Sequence, residues 1–168
     1  MYSPAEVARR YVETGKSKAA LPVGRMLLLG MLAGAFIALA GGSATFAVSY
    51  GGRLAGAAVF PAGLAMVLLA GSELFTGNCL LVIPLLERQL TWGQMLRSWG
   101  VVYLANVLGA GLVAALTVAA GTFDGVYESV VATAAAKAGL PFLTALLRGV
   151  LCNFLVCIAV WMSLAAQS

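Results

Sequence analysis

The chain has 168 residues, 62% of them hydrophobic and only 10% charged, against roughly 45–50% and 25% in soluble domains. Ten Lys/Arg and six Asp/Glu, for a net charge of +4, are too few to keep the surface of a soluble protein of this size in water. That arithmetic disfavours a soluble enzyme, a nucleic-acid binder and a disordered chain, and it points to an all-α integral membrane protein.

In chain order, the opening Ser3-Pro4-Ala5-Glu6 predicts a helix start, with Ser3 as cap, Pro4 in the first position and Glu6 closing a capping box. Val7, Tyr11 and the charges between them make residues 1–20 an amphipathic helix, read as lying along the cytoplasmic face at the mouth of the membrane domain. Gly15 is expected to end it, and Leu21-Pro22 to restart the chain. Five of the ten cations, Arg9, Arg10, Lys16, Lys18 and Arg25, precede the first apolar run. They read as a topology signal, with no partnership with nucleic acid implied. Roughly the first 25 residues are too polar for a cleavable signal peptide.

Residues 21–168 are expected to form a transmembrane domain of four spans, about 26–49, 54–86, 97–121 and 141–166. Arg53 separates the first two. Thr91-Trp92-Gly93 looks like a cap and interfacial anchor ahead of the third, and Trp99 and Trp161 read as further anchors. A polar connection carrying Asp124, Glu128 and Lys137 leads to the fourth span, where Arg148 needs a partner or a water-filled surface. Cations gather in the N-terminal segment and, as Arg88 and Arg97, in the second loop. The N-terminus is therefore placed in the cytoplasm, in a cell (inner or plasma) membrane. Gly30 and Gly34, Gly41 and Gly42, Gly52 and Gly56, and Gly109 and Gly111 have the character of close helix contacts in lipid.

Little in the chain suggests bond-making chemistry. Cys79, Cys152 and Cys157 lie in apolar sequence without a C-x-x-C pair and read as small buried hydrophobes, with no disulfide and no metal site. Histidine is absent, which removes His ligation and His general-base chemistry. No enzyme and no cofactor are expected.

The second span is the informative one. Leu54–Leu86 is too long for one straight crossing and too short for two, and Glu73-Leu74-Phe75-Thr76-Gly77-Asn78 interrupts it. Backbone leaving the helix at membrane depth must be buried in protein or line a pathway, since each unpaired group facing lipid costs several kcal/mol. Thr76 supplies a hydroxyl there, and Phe60, Leu64, Leu74 and Phe75 supply apolar surface for constrictions around it. Glu73 reads as structural, capping backbone groups or pairing with a cation.

The motifs Glu73–Asn78, Thr91-Trp92-Gly93-Gln94, Asn106–Ala110, Val150–Ser163 and the opening Ser3–Glu6 together resemble the formate/nitrite transporter family over essentially the whole chain. The resemblance implies an aquaporin-like helical bundle with a broken second transmembrane helix, assembled as a homopentamer with a pore in each protomer. It implies small monovalent weak-acid anions, formate, nitrite or hydrosulfide, as substrates. Thr76 would sit between two apolar slits lined by Phe60, Leu64, Leu74 and Phe75, Lys137 would be a vestibule lysine, and Asn153 would line the pore from the fourth span. The family has six spans and a pore histidine in the fifth, so the resemblance makes this sequence an N-terminal four-span portion. An aquaporin-type neutral-solute pore is a weaker alternative, because no Asn-Pro pair occurs. A non-transporting assembly subunit or inactive fragment is another.

Overall fold

The computed structural model describes residues 1–166, and within them every regular element is helical. Helix α1, Pro4–Ala19, starts as its sequence predicts: the Ser3 amide donates to Glu6 Oε2 at 2.7 Å, and the Glu6 amide to Ser3 Oγ at 3.4 Å. These bonds from Ser3 hold the Glu6 carboxyl below its ordinary pKa. Gly15 does not end the helix. It lies on the buried stripe Val7, Tyr11, Gly15, Ala19, where an added Cβ would come within 2.8 Å of Pro84 Cγ. The glycine serves close packing against the end of the second span, and α1 continues one turn beyond it.

Helices α2, Val23–Val59, and α3, Pro61–Leu69, follow with almost no interruption. Together they run 47 residues, about 70 Å at 1.5 Å per residue and more than twice the hydrocarbon thickness of a bilayer. The run folds back at Gly52, whose φ of 75° and ψ of −178° suit only glycine. The two arms then lie side by side, and a Cβ on Gly63 would stand 2.7 Å from that of Ala40. The first span thus ends in a single-residue bend at Gly52 rather than near residue 49, and Arg53 sits exposed just past it.

The second span breaks earlier than its sequence suggests. Helix α3 stops at Leu69, the chain turns through Ala70–Leu74 with Gly71 at φ 62°, and α4 covers Phe75–Asn78. The expected break at 73–78 is therefore shifted to 70–74. Gly71 provides the left-handed turn, and the Asn78 amide already makes a helical bond to the Leu74 carbonyl at 2.9 Å. A 3-10 turn, Cys79–Leu81, and α5, Val82–Leu86, complete the segment.

Helix α6, Trp92–Ala119, opens on the predicted Thr91 cap, closed reciprocally by Gln94. It crosses α2 where glycines allow it: Gly34 and Gly109 approach the backbones of Asn106 and Met31 too closely for any side chain. The connection carrying Glu128 and Lys137 is itself a helix, α7, Tyr127–Ala138. Its alanines outweigh its polar residues in helix propensity. Helix α8, Phe142–Ala165, buries only Ala165. Three runs, Val23–Leu69, Trp92–Ala119 and Phe142–Ala165, are long and apolar enough to cross a membrane.

Candidate functional site

The turn at 70–74 exposes backbone groups that need partners, and the fold supplies them one by one. Ser72 bonds Val67 O through its amide at 3.0 Å and its hydroxyl at 3.2 Å, and the Glu73 amide donates to Leu29 O at 3.2 Å. Asn106 of α6 does the rest. Its Oδ1 accepts from the Phe75 amide at 2.9 Å, while Nδ2 donates to Glu73 O at 2.9 Å and Gly30 O at 2.8 Å. One carboxamide thus stands in for missing helical bonds on both sides of the break.

Glu73 itself is 4% exposed. Its carboxylate accepts from Lys18 Nζ at 2.8 Å and Asn78 Nδ2 at 2.8 Å, the structural role its position suggested. Asn78 also donates to Ser98 Oγ at 3.3 Å, and its carbonyl accepts from the Trp99 indole at 2.8 Å. Trp99 is therefore turned inward, a hydrogen-bond donor to the break in place of the interfacial anchor expected. Two further bonds tie α1 in: Tyr11 donates to Gly77 O at 3.3 Å, and Arg97 to Ala19 O at 2.8 Å. Burial, and after it the Glu73 carboxylate, push the Tyr11 phenol above its ordinary pKa.

Thr76 makes no side-chain bond. Its Oγ1 is buried without a hydrogen-bond partner, a condition shared by Asn78 Oδ1, while its carbonyl accepts from Cys157 Sγ at 3.3 Å. Asn153 of α8 meets the same stretch, donating from Nδ2 to Cys79 Sγ at 2.9 Å. The structure brings Thr76 and Asn153 to one junction, where α4 packs on α8.

The apolar residues divide between two cavities. Leu64 and Leu74 line one of about 150 Å³ with Tyr11, Lys18 and Val160. Phe75 and Thr76 line another of about 250 Å³ with Leu74, Tyr103 and Asn106. Leu74 borders both. The Phe75 ring stands edge-on to Tyr103 and Trp99, with centroids 5.3 and 6.2 Å away. Phe60 is 47% exposed and lines neither cavity. Lys137 is exposed on α7 and borders a separate depression with Thr45, Phe46 and Phe123. Arg148 is exposed on α8, and the ion pairs among the described residues, Lys16–Glu13 and Lys18–Glu73, do not involve it.

Sequence reasoning missed Lys18, Ser98 and Asn106 as members of the site. A signal was present for Asn106, a lone carboxamide deep in an apolar span, where such a group needs a partner. For Lys18, among five nearby cations, the sequence carries no such mark.

Comparison with known proteins agrees with this fold. Residues 5–168 match the family described as formate/nitrite transporter. The chain is 39% identical to the uncharacterized transporter YrhG of Bacillus subtilis over 98% of its length and 66% of the relative's. It is 33% identical to the formate channel FocA of Escherichia coli, covering 98% of this chain and 62% of that one. A solved structure of an FNT family ion channel superposes with a TM-score of 0.83 at 27% identity, over 98% of this chain and 70% of that chain. The chain spans about two thirds of the length of the curated relatives it matches.

Proposed function

The chain belongs to the formate/nitrite transporter family, and on that premise we propose that it conducts small monovalent anions of weak acids, formate, nitrite or hydrosulfide, across a cell membrane. The observation that carries the reading is the Thr76 hydroxyl, buried without a partner at a helix break whose other polar groups are largely paired. A buried polar group without a bond costs about 1–3 kcal/mol. Such a cost is offset when a passing solute accepts the bond.

A bare anion in a dry constriction is costly to desolvate, by several kcal/mol even after relaxation. Lys137, exposed on α7, raises the local anion concentration at the external mouth. Leu64, Leu74 and Phe75 form apolar constrictions around Thr76 that exclude hydrated ions. Phe60 joins the constriction once its exposed face is covered by the remaining pore wall. Thr76, and Asn153 after it, donate hydrogen bonds as water is stripped. The assembly is a homopentamer, and the cations of α1 and the second loop keep the N-terminus cytoplasmic.

Proteoliposomes holding the complete protein should take up formate, nitrite or hydrosulfide faster than glycerol, measured side by side at several pH values. Equal uptake of glycerol, or no uptake of any of the three anions, rejects the reading. A second reading, a non-transporting assembly portion, draws on α8, which leaves Phe154 and Leu155 64% and 68% exposed. Absence of flux in a well-folded, membrane-inserted protein selects it.

A further inference from the structure

We propose that Cys79 and Cys157 form a two-thiol site for a soft divalent cation at the junction between α8 and the interrupted segment. Cys79 opens the 3-10 turn after α4, and Cys157 lies one helical turn beyond Asn153 on α8. The Asn153 carboxamide sits between the two sulfurs. Its Nδ2 donates to Cys79 Sγ at 2.9 Å, and its Oδ1 accepts from Cys157 Sγ at 3.2 Å. Carbonyl oxygens flank the pair, that of Thr76 at 3.3 Å from Cys157 and that of Phe75 at 3.4 Å from Cys79. Two thiols far apart in sequence are thus held against one small side chain. When that carboxamide swings aside, a metal ion takes its place between them.

The donor set selects the ligand. Thiolates prefer soft ions, and a divalent ion with two thiolates is neutral, which a half-buried apolar setting tolerates far better than a net charge. Zinc wants four ligands in a tetrahedron, and among the described residues no third Cys, His, Asp or Glu joins the pair. A two-coordinate ion such as Hg(II) needs only the two sulfurs. Loading is a proton-for-metal exchange: two S–H bonds break, two S–Hg bonds form, two protons pass to water and no oxidation state changes. Cys152 is exposed on α8 and does not make the pair a three-ligand group.

The test uses the purified protein in detergent with Cys152→Ser, titrated with mercuric chloride and followed by thiolate-to-mercury absorbance and free-thiol count. The endpoint should fall at one Hg(II) per chain, with both remaining thiols consumed and two protons released. Removing Cys79 or Cys157 as well, to serine or to alanine, should leave a mercury that a small competing monothiol strips at about 100-fold lower concentration, since the second bond is then no longer intramolecular. An endpoint at two Hg(II) per chain overturns the proposal. So does equal resistance to the competitor before and after either cysteine is removed, with melting temperature confirming that each variant is folded.

Discussion

Glu73 and Asn78 flank the Thr76 hydroxyl in sequence, yet the three groups meet burial differently. The Glu73 carboxylate is closed by Lys18 and Asn78, and Asn78 donates from Nδ2 to Glu73 and Ser98 while its Oδ1 stays buried without a partner. The Thr76 oxygen, equally cut off from solvent, has nothing. Polar groups that hold a broken helix together must be satisfied inside the protein, because lipid offers them no bonds. A group meant for a solute has to be left unsatisfied until the solute arrives. The bonded groups of Glu73 and Asn78 should therefore govern stability, and the Thr76 hydroxyl, which makes no bond at all, transport.

The sharpest break in that comparison is Glu73→Leu. It strands the Lys18 ammonium, whose side chain is 25% exposed, and takes a partner from Asn78. Removing one member of a buried pair costs about 3–5 kcal/mol. Folded protein recovered from detergent, measured by gel filtration and thermal melting, should be largely lost, whereas Glu73→Gln should retain a measurable part. Near-normal melting of Glu73→Leu would mean that the network is ornamental.

Asn106→Leu comes next. The leucine fits the apolar span but abandons the Phe75 amide and the carbonyls of Glu73 and Gly30. Each buried group left bare costs about 1–3 kcal/mol, partly recovered by local relaxation. The melting temperature should fall clearly, by less than in Glu73→Leu. A fall no larger than that of an exposed substitution such as Leu108→Ala would show that the break does not depend on this carboxamide.

These two residues also mark how far the sequence could be read. Glu73 announced itself as a charge beside a glycine-containing polar run inside an apolar segment, and a structural role followed. The capping box at Ser3 and the cap at Thr91 were legible because capping depends on residues close in sequence. The bend at Gly52 and the break at Gly71 were hard to place, since one glycine among twenty reveals its φ only once the flanking helices are packed. Lys18 reaches Glu73 across 55 positions of sequence, and Trp99 turns inward for the Asn78 carbonyl where α4 gives way to the 3-10 turn. Both are tertiary facts that no local periodicity encodes.

Thr76→Val tests the opposite half of the comparison. Valine keeps the shape and removes a hydroxyl that has no partner, so stability should stay within about 0.5 kcal/mol of the parent or rise. Uptake of the anion should fall about tenfold, the equivalent of one hydrogen bond to an anion at about 1.5 kcal/mol. Loss of stability without loss of flux would move Thr76 from the transport half to the structural one.

The smallest effect belongs to Tyr11, which fastens α1 to the break through the Gly77 carbonyl at 3.3 Å. Tyr11→Phe should cost about 0.5–1 kcal/mol at neutral pH, the ordinary worth of a neutral hydrogen bond. Its signature lies in alkali. In the unfolded chain the phenol titrates near its ordinary value of about 10, and in the folded protein burial raises it above that. Between the two values the unfolded state binds fewer protons than the folded one, so stability falls as pH rises. The contribution is complete below pH 10 and drains away above it. Melting curves of the parent and of Tyr11→Phe should therefore run parallel from neutrality to about pH 10 and converge or cross beyond it. An offset that stays constant into alkali would mean that the phenol titrates freely, and that α1 is not seated on the break as tightly as the buried stripe Val7, Tyr11, Gly15 and Ala19 requires.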